Sequence, residues 1–338
     1  MSSRQVNRYL KFLSDTVQRR ASHAGSWYSS DTNELNEQLV EWLSSAQVEP
    51  VVGCKAIIAP HAGYSYSGPA AAWAYKSIDT TNIKHILVLG PSHHVYLPGC
   101  ALSTMKSYET PVGSLPIDTS LVAELRATGK FEEMSRATDE EEHSLEMHLP
   151  YIRKTFEGLD VTIVPILVGA LDAAAEHVYG ELLAPYLARA DTFTVASSDF
   201  CHWGLRFQYT MHYPTEPPAE LSRLSRNANR PSFAIYKSIE ALDREGMTII
   251  EKISHGDFVS YLQRTRNTIC GRHPIGVLLA AMNSLSTAAG TTTKAQEIRF
   301  VRYEQSSQCP RRGRFQCQLC ICVCIILTPL NWQSSVCK

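Results

Sequence analysis

An excess of charge of one sign is absent from this chain of 338 residues. Its 32 Lys and Arg residues are balanced by 33 Asp and Glu residues, for a formal net charge of -1, and no long Lys/Arg block occurs. Proteins that bind nucleic acid or anionic membranes carry such basic patches. The composition therefore argues against both kinds of partner.

A long apolar run is also absent. The first twenty residues are polar and contain no apolar core of signal-peptide length. The apolar stretch 319–327 is far shorter than the roughly 20 residues that a membrane-spanning helix needs. We therefore expect no membrane insertion and a cytoplasmic location.

Cysteine is scarce over most of the chain. Only Cys54, Cys100, Cys201 and Cys270 precede residue 300, and they are too few for a disulfide framework, which favours a reducing compartment. Six more cysteines crowd into residues 309–338. Their thiols could bind a thiophilic metal, but no histidine accompanies them in this segment. We expect this atypical tail to lack regular structure and to leave the domain without a closing strand.

Short β-branched runs alternate with amphipathic segments along the body of the chain. Continuous apolar runs of this kind suit strands buried on both faces, and the amphipathic segments begin at capping residues such as Asp31 and Asp118. The alternation predicts an α/β fold, a single layered domain with a central, largely parallel or mixed sheet flanked by helices. The strands are predicted at 55–61, 85–94, 161–169 and 192–202, and helices at 31–43, 118–129 and 171–190.

Several of these strands end in histidine or aspartate. His61 and His93 end two of the runs, and Asp199 and His202 end a third. A single histidine in such a loop is usually a solvated turn residue. Because ligands bind beyond the carboxyl ends of parallel strands, three such ends together predict a functional site at that edge.

Cys270 precedes a predicted helix that Pro274 can open at its first turn. A thiol at a helix N-terminus has a lowered pKa, and its thiolate is a metal ligand or a nucleophile. The alternative is a small buried side chain. The strand-end histidines favour the first interpretation.

Two more histidines, His143 and His148, lie five positions apart. On one continuous helix they would be about 140° apart, which excludes the two-histidine face of a zinc protease. We interpret them as capping groups or as supports for the ligands.

Six motifs together resemble the Memo family, named as a mediator of cell motility. They occur in order over about residues 20–308, so the resemblance is specific. The motifs are ASHAGSWY (21–28), IIAPHAGYSYSG, VLGPSHH, EHSLEMHLPY, SSDFCHWG and ICGRHPIG.

The resemblance implies a fold similar to that of class III extradiol non-haem iron dioxygenases. It also implies a pocket in which His61, His93 and Cys270 hold copper or iron, with zinc also compatible. His202 is then a candidate general acid/base, and Asp199 a residue that orients a histidine. The residues implied to contact substrate or peptide are Trp27, Tyr66 and His94.

The sequence departs from the dioxygenases at Cys270, which stands where those enzymes have a carboxylate. Their two-histidine, one-carboxylate set suits Fe(II) and oxygen, whereas thiolate softens the site. We therefore do not expect ring cleavage. Against the Memo pattern itself, residues 1–20 are an N-terminal extension, 210–233 a loop insertion in the domain 21–308, and 309–338 the atypical tail.

Two classes of function fit these residues. One is a metal-dependent redox protein with copper- or iron-dependent oxidoreductase activity. Such a protein is expected in the cytoplasm and also in the nucleus. The other is a non-catalytic adaptor in which the same pocket accepts a phosphotyrosine peptide. The resemblance implies receptor tyrosine kinases or their adaptors as partners, in signalling to the cytoskeleton.

Overall fold

The computed structural model describes residues 17–224, 232–289 and 296–307, and the backbone of 318–327. Within these residues the chain is an α/β protein with a large mixed sheet flanked by helices, as predicted. The strands are β1 Gln18–Arg19, β2 Cys54–Ala59, β3 His85–Pro91, β4 Cys100–Leu102, β5 Ser107–Tyr108, β6 Leu115–Pro116, β7 Phe131–Glu133, β8 Thr162–Val168, β9 Thr192–Ser197, β10 His202–Trp203, β11 Met211–His212, β12 Ser222–Arg223, β13 Glu297–Gln305 and β14 Gln318–Leu327. The helices are α1 Thr32–Ser45, α2 Tyr64–Lys76, α3 Thr119–Ala127, α4 Arg136–Glu141, α5 His143–Glu146, α6 Leu149–Thr155, α7 Ala173–Ala188, α8 Ile235–Glu251, α9 His255–Thr265 and α10 Arg272–Ala289.

The main sheet has nine strands in the described residues, in the order β10-β14-β2-β9-β3-β8-β4-β7, with β13 paired to β14. The four central strands, β2, β9, β3 and β8, are parallel and correspond to the four predicted runs. Pairing at both margins is partly antiparallel, through β14 on one side and β4 on the other. The mixed sheet is therefore confirmed.

Alternation along β2 explains why its sequence is apolar throughout. Ile57 and Ala59 pack in one core cluster with the first helices, including Leu35 of α1. Ala56 and Ile58 point to the opposite face and pack in a second cluster with α8, α9 and α10. Helices therefore cover both faces, and no residue of β2 is left for solvent.

The predicted helix boundaries are confirmed where a capping side chain marks them. The Asp31 carboxylate accepts N–H groups of Asn33 and Glu34 at the start of α1, and Asp118 accepts the N–H of Leu121 at the start of α3. These caps satisfy donors that a helix cannot satisfy itself.

The expectation that 309–338 would lack regular structure is wrong for 318–327. This segment forms β14, which pairs antiparallel with β2 on one edge and with β13 on the other. Pairing on both edges satisfies its backbone, and a β-branched apolar run suits a strand inside a sheet. The rest of the tail lies outside the described residues.

The described part of the proposed insertion 210–233 meets the domain through a hydrogen bond from the Tyr213 N–H to Ser238 Oγ. Of the N-terminal extension 1–20, residues 1–16 lie outside the described residues, and the rest meets the domain. β11 and β12 pair across the insertion, while 225–231 lie outside the described residues. β1 pairs with β5, and Arg19 is fully buried. None of the helices in the described residues is long and apolar enough to cross a membrane.

Candidate metal centre

The strand-end residues meet at the carboxyl edge of the sheet, as predicted. His61 lies two residues beyond β2, His93 two beyond β3, and Asp199 two beyond β9, and these three strands are adjacent. They surround a cavity of about 700 Å³. The cavity is lined by Ser26, Trp27, His61, Ala62, Gly63, Ser65, Tyr66, His93, His143, Asp199, His202, Arg206, Phe207, Thr268, Cys270 and Arg272.

His61 is buried, and both of its ring nitrogens have defined neighbours. Its Nδ1 lies 2.5 Å from Ser197 Oγ. Because the Ser197 hydroxyl donates its proton to the carbonyl of Ser144, it must accept from His61 Nδ1–H. The lone pair of His61 is therefore on Nε2, which lies 3.1 Å from Cys270 Sγ.

His93 is held in the same tautomer by a buried carboxylate. Its backbone N–H donates to Glu142 Oε2 at 2.7 Å, and its Nδ1 donates to Glu142 Oε1 at 2.9 Å. The Ser144 N–H donates to Glu142 as well. Burial alone would raise the pKa of Glu142, but the bonds from His93 hold it at about 2, so the carboxylate is ionised and fixes His93 Nε2 as the free nitrogen.

Cys270 reaches the site because the chain before α10 packs closely on the end of β9. The Asp199 N–H donates to Cys270 Sγ at 3.3 Å. The expectation of a lowered pKa is wrong for the metal-free protein: burial, followed by the Asp199 carboxylate, raises the pKa of the Cys270 thiol well above its usual value. Desolvation thus outweighs the helix terminus, and the sulfur is a thiol until a cation replaces its proton.

Asp199 and His202 both face the cavity. Burial raises the pKa of Asp199 to about 7, although hydrogen bonds from the backbone N–H groups of His61 and Ala62 act to lower it. His202 hydrogen-bonds the Thr268 carbonyl through Nδ1, and burial lowers its pKa. An acid titrating near neutrality and a neutral imidazole in one cavity are suited to moving protons.

His143 belongs to the cavity, which our interpretation of it as a cap or a support did not anticipate. Glu142, not His143, caps the four-residue helix α5. The helix ends before His148, so the angle computed for one continuous helix does not apply. His148 is buried elsewhere and bonds the Tyr75 hydroxyl, while the His143 ring stacks on His93 with centroids 4.3 Å apart.

The residues expected to contact a ligand differ in placement. Trp27 and Tyr66 line the cavity and are 36% and 57% exposed, and the Trp27 ring lies 4.4 Å from that of His143. His94 is not among the lining residues, although its ring is 5.8 Å from that of His143.

Sequence reasoning missed two arginines, Arg206 and Arg272, which also line the cavity. Neither forms an ion pair within the part of the chain that the structure describes. Each lies within four residues of a predicted site residue, His202 or Cys270, and that adjacency was the available signal.

Two groups of potential metal ligands share His61. One consists of His61, His93 and His143, and the other of His61, Asp199 and Cys270; in each, the ligand atoms lie within 4.8 Å of one another. The predicted set of His61, His93 and Cys270 takes members from both and is not itself such a group among the described residues. Imidazole nitrogens with their Nδ1–H groups held, together with a cysteine sulfur, suit copper, iron or zinc, so the residues fit a bound transition metal.

The fold and the cavity define an α/β protein with a pocket lined by histidines and a cysteine at the carboxyl edge of a mixed sheet. The chain belongs to the Memo family, because the family described as Memo-like protein matches residues 19–312. The protein MEMO1 of Xenopus laevis is 49% identical over 87% of this chain and 93% of its own length. Human protein MEMO1 is 48% identical over 87% of this chain and 92% of its own length.

More distant proteins are also similar. The protein memo-1 homolog of Caenorhabditis elegans is 41% identical over 86% of this chain and 77% of its own length. The crystal structure of an uncharacterized Escherichia coli K12 protein, JW3007, has a TM-score of 0.45 at 13% identity, and covers 80% of this chain and 99% of that one.

Proposed function

We propose that this Memo-family chain is a metal-binding redox protein that holds one copper or iron ion through His61, His93 and Cys270. The observation that carries the proposal is the tautomer of the two histidines. Ser197 and Glu142 take the Nδ1 protons of His61 and His93, so each presents Nε2 as a lone-pair donor, and Cys270 Sγ lies 3.1 Å from the first of them. Both histidines thus present the tautomer that a metal ligand needs, and the Cys270 thiol has to lose its proton on binding.

The surrounding residues would handle protons and orient the ligands. A bound copper or iron ion would supply one-electron redox chemistry. Asp199 bonds the His61 backbone N–H and holds that loop in place. His202, a neutral imidazole facing the cavity, acts as the general acid/base toward a substrate proton.

Metal analysis of the full chain, purified without oxygen, tests this function. We expect about one ion per chain, and strongly reduced content in His61→Ala, His93→Ala and Cys270→Ala, because each removes one of three donors. His177→Ala is the matched control, since His177 is exposed on α7 and contacts His255 instead of the cavity. Unchanged content in all three site variants would refute the proposal.

A second function is favoured by the two arginines. Arg206 and Arg272 share the cavity with the exposed rings of Trp27 and Tyr66, and guanidinium groups beside aromatic rings suit a phosphotyrosine. In this alternative the chain is a cytoplasmic adaptor that binds a receptor tyrosine kinase, or one of its adaptors, in cell motility.

Chelation separates the two functions. A phosphotyrosine peptide should bind the chelated protein as well as the metal-loaded one, and Arg206→Gln with Arg272→Gln should abolish binding. A redox activity should instead disappear on chelation and survive the arginine changes. Peptide binding that is absent from the wild-type chain in both states would exclude the adaptor.

A further inference from the structure

We propose that His143 is also a metal ligand, so that the ion is held by three imidazoles together with Cys270. This inference rests on the proposed metal-binding function and extends its donor set. The ligand atoms of His61, His93 and His143 lie within 4.8 Å of one another. The three rings come from the end of β2, the end of β3 and the start of α5.

In each of the three rings, Nδ1 lies toward a protein acceptor. The Nδ1–H of His61 donates a hydrogen bond to Ser197, and the Nδ1–H of His93 donates one to Glu142. The Nδ1 of His143 lies 3.6 Å from the same Glu142 Oε1. In His93 and His143 the nitrogen away from Glu142 is therefore Nε2, while the Nε2 of His61 faces Cys270 Sγ at 3.1 Å and Asp199 Oδ2 at 3.7 Å.

The ring planes show how the three imidazoles lie relative to one another. The rings of His93 and His143 are nearly parallel, at 23°, because both have Nδ1 toward one carboxylate. The His61 ring is steeply inclined to both, at 72° and 74°, with centroids 5.1 and 5.5 Å away. Because an imidazole binds metal in its own ring plane, His143 must turn out of its stack with His93 to reach the same ion, whereas His61 already faces both rings at a steep angle.

His143 Nδ1 is buried and makes no hydrogen bond within the described residues, which is costly for a polar atom. An imidazole that binds metal through Nε2 carries its proton on Nδ1, and metal-bound histidines usually donate that proton to a carboxylate. Glu142 is in place to accept it. Metal binding at His143 would therefore give a partner to a buried atom that otherwise lacks one.

The competing explanation is that His143 only forms part of the cavity wall, stacked between Trp27 and His93. His143→Phe separates the two, because phenylalanine keeps an aromatic ring and removes both nitrogens. His143→Ala addresses the same question if the larger ring does not fit. His177→Ala again serves as the control.

The experiment uses the full chain, stripped of metal and titrated with Zn²⁺ against a competing chelator and with Co²⁺ for its visible spectrum. We expect both His143 variants to lose at least about tenfold in Zn²⁺ affinity, as even supporting residues of metal sites do. The ligand-field bands of Co²⁺ should change while the thiolate-to-cobalt band remains. Thermal unfolding of the stripped proteins identifies a variant that has lost its fold.

The outcomes distinguish this inference from the function on which it rests. Wild-type affinity and spectrum in His143→Phe or His143→Ala, with binding lost in His61→Ala, would overturn the role of His143 alone. A wild-type chain that binds neither ion would overturn both. A His143 variant that loses affinity, keeps the fold and the sulfur band, and has changed ligand-field bands of Co²⁺ would establish the fourth donor, because a supporting residue would lower affinity without being replaced in the metal's ligand set.

Discussion

Cys270 Sγ lies 3.1 Å from His61 Nε2, although 209 positions separate the two residues in the chain. His61 Nε2 is an acceptor, because the proton of the neutral ring is on Nδ1, where it forms the hydrogen bond to Ser197. The protonated thiol of Cys270 is therefore its donor in the metal-free protein. A metal ion that binds both atoms must displace that proton.

Metal binding should accordingly release about one proton per ion at pH 8.5, where Asp199 with its pKa of about 7 is already ionised, because the pKa of Cys270 is raised well above its usual value and a thiolate is the binding form. Burial lowers the pKa of His61, and it lowers that of His143 to about 3, so these rings have no proton to lose. Calorimetry of Zn²⁺ binding in buffers of different ionisation enthalpy measures the release. Cys270→Ala should release less, and equal release in both proteins would contradict this assignment.

Asp199→Asn should stabilise the metal-free protein at pH 8. The pKa of Asp199 is about 7 in the folded chain against an ordinary value of 3.8, so the folded state binds the proton more tightly and the free energy of unfolding falls as pH rises between these values. The amide removes this loss, which is at most about 4 kcal/mol for a pKa raised by about 3, at about 1.4 kcal/mol per unit. We expect a net gain of about 1–3 kcal/mol, because an amide oxygen accepts the His61 N–H less strongly than a carboxylate does. In urea unfolding, Asp199→Asn should show no gain in unfolding free energy at pH 4. The control Asp191→Asn should show no gain at either pH, because an Arg189 hydrogen bond lowers the pKa of Asp191.

Glu146→Gln should destabilise the chain at pH 7 by about 3–5 kcal/mol, because it leaves the buried Arg19 guanidinium without one of its charged partners. Burial would raise the pKa of Glu146, but His23 and Arg19 hold it at about 2, below the ordinary 4.5. A lowered acid pKa contributes stability above pH 4.5 that is lost as pH falls through 2. The difference from wild type should therefore shrink over that range in urea unfolding.

The matched control for that change is Glu157→Gln, which alters an exposed pair with Lys154. Its unfolding free energy should stay within about 0.5 kcal/mol of wild type. Equal losses in both variants would mean that the buried network around Arg19 has no special weight.

Gly271→Ala should disrupt the site. A Cβ there would collide with the backbone oxygen of Ser197 and the Cβ of Ser198, so α10 must move away from β9 and take Cys270 with it. We expect a loss of about 1–3 kcal/mol, as for overpacking, together with reduced metal content. The control is Gly256→Ala in α9, where a Cβ would have nothing within 4 Å. This change should instead stabilise the protein by about 0.5–1 kcal/mol. A similar thermal shift in both variants would contradict the packing argument.

Iron-loaded protein should show no more than trace ring opening of simple catechols. Thiolate in place of a carboxylate changes the charge and softness around the metal, and the sulfur is itself open to oxidation. Oxygen consumption with catechol measures this directly. Robust turnover would show that Cys270 does not determine the chemistry.

The sequence by itself determined the central strands, the capped helices and the edge at which the site forms. These features have local signals, since burial on both faces makes a strand apolar throughout and a capping carboxylate must precede its helix. His61 and His93 were predictable for the same reason. Strand order did not have to be known to place strand-end residues at a common edge.

Only the tertiary structure decided the protonation of Cys270, the place of His143 and the pairing of β14. The thiol pKa depends on burial among residues far away in the chain, and His143 lies beside the cavity because its neighbour Glu142, the cap of α5, accepts two hydrogen bonds from His93. β14 pairs with β2 and β13, and pairing with a strand more than 250 positions earlier leaves no periodic trace in the tail. Each of these properties depends on contacts between residues far apart in the chain, so a local pattern such as the apolar run of β14 can indicate a strand but not its partners.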